Sequence, residues 1–152
     1  MSYRPFTRAN YPYYLNRLDR LTPGSRRRWG QLTPAGLLAH LVFTFEMGCG
    51  LQHVEDDSTW FTRTVVRWVA CHLLRRFPRG KVKLDPQFTP APQGDFAAER
   101  ARLDQAMEAF LDEVERHSTR TLIHPAFGPI TLEYSTRVQG IHMDHHLKQF
   151  GL

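Results

Sequence analysis

Residues 131–150 read TLEYSTRVQGIHMDHHLKQF, and their pattern predicts one long helix that stops at Gly151. Placed at about 100° per residue, the polar and apolar residues of this stretch separate around the helix. A narrow polar seam contains Ser135, Gln139, His142, His146 and Gln149. Apolar residues flank it, namely Leu132, Tyr134, Val138, Ile141 and Phe150. Because a polar seam is costly to bury unless its members are hydrogen-bonded or ligated, the stretch predicts a site as well as a helix.

Two histidines of this helix have the spacing of a metal-ligand pair. His142 and His146 lie one helical turn apart and about 40° from each other around the helix, so their imidazoles can share one metal ion. The alternative is a pair satisfied by ordinary hydrogen bonds. His145 is also near the inward face and could replace His146 on geometry alone. Asp144 is expected to face water and to be a poor ligand.

A third ligand must come from another helix, and His40 is the best candidate. It lies in the middle of an apolar segment and shares a helical face with Thr44 and Met47. The alternative is a histidine satisfied within the core. Cys49 lies about half a turn away around the same helix, so we do not expect it to join the site.

The remaining periodicity is also helical and predicts an all-α chain. Besides the last helix, the predicted segments are 10–21, a segment from Thr33-Pro34 to near Gly48 or Gly50, 58–76 and 95–117. The segment 58–76 has an apolar face that includes Trp60, Phe61, Val65 and Trp68. Leu122-Ile123 is too short to predict a strand. A helical bundle is the natural way to pack these segments.

Length and composition predict one domain over residues 1–152. The hydrophobic fraction of 41% is ordinary for a globular domain. Neither a signal peptide nor an apolar run long enough to span a bilayer is visible, so no membrane partner is expected. Cys49 and Cys71 fit free thiols in a reducing cytoplasm, although the alternative of a bridge stays open. We therefore expect a cytoplasmic protein.

The formal net charge is +5 and the sequence pI is about 9.6. Basic residues cluster at 26–28 and 75–76, with Arg79, Lys81 and Lys83 following. These clusters could bind nucleic acid or a membrane surface. Because no recognition motif accompanies the charge, we favour solvated surface residues and do not expect a nucleic-acid partner.

Three stretches resemble the DinB-like metal-binding superfamily of four-helix bundles, in a branch known only as a domain of unknown function. They are RWGQLT (28–33) leading to LAHL (38–41), HPAFG (124–128) and HMDHHLKQFG (142–151). The resemblance implies a four-helix bundle with a short additional helix. It also implies a divalent metal ion held by His40, His142 and His146, with His145 not a ligand. Tyr134 departs from the branch, which often has Trp there.

The function implied by this resemblance is metal-dependent. Three neutral imidazoles leave coordination positions open, as in catalytic zinc sites, and zinc or nickel is the foremost expectation. Met143 stands where a zincin protease has its general-base Glu, which disfavours that chemistry. Some relatives transfer or isomerise with mycothiol, bacillithiol or glutathione, so we expect a thiol-dependent transferase or isomerase.

The alternative to catalysis is a metal- or small-ligand-binding module. A small-molecule ligand is expected in either case, and a homodimer is plausible for a small bundle. His124 could line a pocket or stabilise the turn in which it lies, and the second role is favoured. His53, His72 and His117 are expected at the surface or at helix ends.

Overall fold

The computed structural model describes residues 4–69 and 88–152, and these residues are mostly helical. The α-helices of these two ranges are α1 (Tyr11–Leu18), α2 (Pro34–Cys49), α3 (Phe96–His117) and α4 (Leu132–Gln149). A 3-10 turn (Arg8–Asn10) precedes α1, and a π-helical turn (Thr62–Val66) follows α2. A two-stranded antiparallel hairpin of β1 (Thr121–His124) and β2 (Gly128–Thr131) connects α3 to α4.

Capping residues define the starts of the three longer helices. The side chain of Thr33 accepts a hydrogen bond from the amide of Gly36 at 3.0 Å, and Thr131 caps α4 in the same way. Asp95 caps α3. Gly50 ends α2 in the left-handed conformation, with a φ of 77°. The predicted bounds of these helices are therefore confirmed to within a few residues.

The core lies where α2, α3 and residues 4–7, the N-terminal segment, meet. Phe6 is fully buried, and its ring centroid is 4.7 Å from that of Phe45 and 6.1 Å from that of Phe110. Burying each such side chain contributes about 1.5–3 kcal/mol to stability. The amide of Phe6 also donates to the carbonyl of Thr136, which attaches the N-terminal segment to α4.

The hairpin departs from the all-α class. β1 and β2 pair in register from Thr121 opposite Thr131 to His124 opposite Gly128. Phe127 and Ile130 are buried beside Val138 of α4, so the hairpin has an apolar contact of its own. Four-residue strands are too short for an alternation signal, and they are stabilised by pairing with each other and by their contact with α4.

The predicted helix 58–76 is described only in part. Residues 60–69 are helical around the π-helical turn, but residues 70–76 lie outside the described ranges, as do Cys71, His72 and the basic residues 75–83. The expected apolar face is largely exposed among the described residues, since Trp60 is 76% and Trp68 is 55% exposed. The first helix is shorter than predicted and ends at Leu18.

Two further predictions concern membrane-spanning helices and the cysteine thiols. None of the helices within the described ranges is long and apolar enough to cross a membrane. Cys49 is buried and free, and burial raises the pKa of its thiol to about 11. This thiol therefore stays protonated near neutral pH and is a poor metal ligand.

Candidate metal centre

The packing of α2 against α4 brings the three predicted histidines together. Their Nε2 atoms form a triangle with sides of 3.0 Å between His40 and His142, 3.1 Å between His40 and His146, and 2.9 Å between His142 and His146. Among the described residues, these three form the group of side chains that could hold a metal ion. One ion can lie about 2.0–2.1 Å from all three nitrogens, which is the usual Zn–N distance.

Hydrogen bonds to the far side of two rings determine which nitrogen carries the proton. Nδ1 of His40 donates to the carbonyl oxygen of Phe88, and Nδ1 of His146 donates to Oε1 of Gln149 at 2.7 Å. Since both partners are oxygens that only accept, Nδ1 is protonated in each ring and Nε2 keeps its lone pair. The two Nε2 atoms cannot hydrogen-bond to each other, so a cation between them removes their repulsion.

Burial keeps the three imidazoles neutral. His40 and His146 are buried, and His142 is half-buried. Burial lowers the pKa of His40, and it lowers the pKa values of His142 and His146 well below the ordinary value, with neighbouring histidines adding to the effect. Neutral imidazole is the form that binds a metal, so the site needs no deprotonation near pH 7.

Two other residues of α4 that were considered as ligands, His145 and Asp144, lie outside the triangle. The ring of His145 packs edge-on against Trp29, with centroids 6.3 Å apart, and it lies outside the cluster of potential ligands. Asp144 also lies outside that cluster, and the prediction that it faces water was wrong. It is buried and pairs with Arg17 at 3.1 Å and with Lys148, because α1 covers this face of α4.

A cavity of about 290 Å³ borders the triangle on the side of His40 and His142. The hairpin and α4 form much of its wall, and its lining is mostly apolar. His124 has both of the roles considered for it. Its Nδ1 accepts from the amides of Ala126 at 3.2 Å and Phe127 at 3.3 Å, which stabilises the turn, and its ring also lines the cavity.

Sequence patterns did not identify all the residues that support the site. Gln139 and Gln149 belong to the predicted polar seam, but their separate roles depend on what each side chain reaches. Gln149 holds His146, whereas Nε2 of Gln139 donates to the carbonyl of Thr44 at 2.7 Å. The carbonyl of Phe88 was not predicted, because any residue can supply a backbone oxygen.

Comparison with known proteins identifies a family. A family model described as "Protein of unknown function (DUF1569)" matches residues 8–151. No curated protein and no solved structure gives a significant match to the chain.

Proposed function

The chain belongs to the DUF1569 family of proteins of unknown function, and we propose that it binds one divalent metal ion through His40, His142 and His146. The observation that carries the proposal is the triangle of Nε2 atoms with sides of 2.9–3.1 Å. Two of its members present lone pairs because their Nδ1–H groups are already bonded. Metal-binding histidines nearly always have such a partner on the other ring nitrogen.

We further propose that the helices belong to a DinB-like four-helix bundle. The ligands support this, since one comes from an early helix and two come from the last helix at His-x-x-x-His spacing. The packing of α2 on α3 and of both on α4 is compatible with such a bundle. Zinc and nickel both accept imidazole ligands, so the ligand set is compatible with either.

The reaction we propose is metal-dependent thiol transfer or isomerisation. A divalent ion held by His40, His142 and His146 would lower the pKa of a thiol bound to it and would favour the thiolate. In the proposed transfer the thiol sulfur would form a bond to an electrophilic carbon, the leaving group would depart with its electron pair, and the thiol proton would pass to solvent. The cavity beside His142 gives a second molecule room next to this sulfur.

The second candidate is a metal- or small-ligand-binding module without catalysis. It is favoured by the lack of a described carboxylate in the cavity lining that could act as a general base. Met143, at the position of the zincin glutamate, is fully buried. Thiolate transfer alone does not need such a base, so this observation counts against an isomerase more than against a transferase.

Metal content measured by mass spectrometry tests the proposed site. Untagged wild type, purified without chelator, is compared with His142→Ala and with the matched control His145→Ala. We expect near-stoichiometric metal in wild type and in the control, and its loss in His142→Ala. Wild type that binds neither zinc nor nickel after both are added would refute the site.

Thiol consumption separates the two candidate functions. Metal-loaded wild type and the His142→Ala variant, which is expected to lack metal, are incubated with mycothiol, bacillithiol or glutathione and a panel of uncharged electrophiles. Free thiol and isomerisation of the electrophile are both followed, because an isomerase regenerates its thiol. Metal-dependent consumption that the variant lacks is expected for a transferase. A metal-replete protein that is inactive with all three thiols would favour the binding module.

A further inference from the structure

The cavity beside the metal centre has a definite chemical character. Apolar side chains from the hairpin and α4 dominate its wall, including Leu122, Ile130 and Val138. No aspartate, glutamate, lysine or arginine is among the lining residues in the part of the chain that the structure describes. A charged group within it, away from the metal, would therefore lose its hydration without gaining a counter-ion, which is strongly unfavourable.

Several polar groups in this wall already have partners inside the protein. The hydroxyl of Thr44 donates to the carbonyl of Leu41 at 3.0 Å, and the amide nitrogen of Gln139 donates to the carbonyl of Thr44. His40 uses Nδ1 for Phe88 and presents Nε2 to the triangle. Among the described residues, Oε1 of Gln139 is a buried acceptor of this wall that has no partner.

His124 offers the cavity a hydrogen-bond donor. Because its Nδ1 accepts hydrogen bonds from two backbone amides, the ring proton must lie on Nε2. No hydrogen bond to Nε2 is formed by any residue of 4–69 or 88–152. The ring is held in place by stacking on Phe127, with centroids 4.6 Å apart and planes inclined by 16°. Burial lowers the pKa of His124 to about 4, so the ring is a neutral donor near pH 7.

We propose that the cavity binds an uncharged, mainly apolar small molecule that accepts a hydrogen bond from Nε2–H of His124. This inference deepens the proposed function and rests on it in one respect, since the molecule would be the electrophile beside the metal-held thiolate. In this proposal His124 determines which electrophile the cavity accepts. The charged part of a thiol such as glutathione is excluded from the cavity.

Three probes of similar shape test the proposal at pH 8. Acetophenone is uncharged and has an acceptor, ethylbenzene lacks the acceptor, and benzoate carries a charge. Dissociation constants are measured by NMR titration on chelator-treated wild type, on His124→Asn and on the control His117→Asn, which alters an exposed histidine. In His124→Asn, the side-chain oxygen can still accept from the turn amides, whereas the distal N–H is lost.

We expect wild type and His117→Asn to bind acetophenone about 5- to 10-fold more tightly than ethylbenzene, the effect of one net hydrogen bond. Benzoate should bind at least about 10-fold more weakly than acetophenone, since it brings an unpaired charge. In His124→Asn the preference for acetophenone should disappear while ethylbenzene binding persists. Circular dichroism checks that His124→Asn folds. The comparison of the three probes on wild type does not depend on that variant.

Several results would overturn the proposal. They are tightest binding of benzoate, a preference for acetophenone that survives in His124→Asn, or no binding of any probe at millimolar concentration. The acetophenone and ethylbenzene pair is also measured on protein as isolated, with metal content determined in parallel. Loss of the expected preferences in a protein that binds metal would refute this inference alone. Preferences retained in a protein that binds no metal would support it and refute the metal site.

Discussion

Nδ1 of His146 donates to Oε1 of Gln149, 2.7 Å away and one helical turn further along α4. This bond orients the ring and keeps the Nε2 lone pair directed at His40 and His142. Gln149 is itself buried, so water does not replace it as an acceptor. The hydrogen-bond partner of the proposed ligand His146 thus lies in the same helix.

Gln149→Met should weaken metal binding by about 10- to 100-fold, the usual effect of losing the hydrogen-bond partner of a metal ligand. Stoichiometry at saturating metal should remain that of wild type. Competition with a chelating dye measures the affinity, and Gln105→Met, on the exposed face of α3, is the matched control. Equal affinities for wild type and Gln149→Met would contradict the role assigned to this bond.

The burial of His124 predicts an acid-sensitive contribution to stability. Its pKa is about 4 in the folded protein, against 6.5 ordinarily, so the unfolded chain binds the proton more readily. The contribution is fully present above pH 6.5 and is lost as the pH falls from 6.5 towards 4. We expect chelator-treated wild type to lose more unfolding free energy over this interval than His124→Asn. Urea unfolding at a series of pH values measures it, and parallel curves would contradict the assignment.

Gly140 is required by the close approach of the N-terminal segment. A Cβ at this position would lie 2.1 Å from the carbonyl oxygen of Arg4, whereas one at Gly24 would meet nothing within 4 Å. Helix propensity alone predicts that Gly140→Ala stabilises α4 by about 1 kcal/mol. We expect the opposite, a loss of about 1–3 kcal/mol from overpacking.

Thermal and urea unfolding of Gly140→Ala and the control Gly24→Ala measure this difference. The control should remain within about 0.5 kcal/mol of wild type. A stabilised Gly140→Ala protein would show that the N-terminal segment does not pack on α4 as described.

The ion pair between Arg17 and Asp144 should be important for joining α1 to α4. Its nitrogen and oxygen are 3.1 Å apart, and the side chains are only 11% and 4% exposed. Asp144→Ala leaves a guanidinium that is only 11% exposed without this carboxylate, since its other described hydrogen bonds go to Tyr13 and the main-chain oxygen of Leu152, and should cost about 3–5 kcal/mol. Asp104→Ala removes a carboxylate that is 42% exposed and should cost at most about 1 kcal/mol. Urea unfolding compares the two, and similar losses would contradict this account.

Residues close together in the chain were the most predictable. Thr33-Pro34, Gly50, Asp95 and Thr131 predict helix ends because a cap acts on amides or carbonyls within a few residues. The spacing of His142 and His146 likewise follows from the geometry of one helix. The hairpin was missed because its short strands are stabilised by each other and by contact with α4.

Periodicity and capping are local properties, so the sequence alone indicated a mostly helical chain and the candidate histidine ligands. The packing of the helices was needed to place Nε2 of His40 about 3 Å from the Nε2 atoms of His142 and His146. It also decided that Asp144 is covered by α1, and that His124 borders the same cavity as His142. The physical reason is that these contacts join residues distant in the chain, and the packing of helices, not the local pattern, sets their distances.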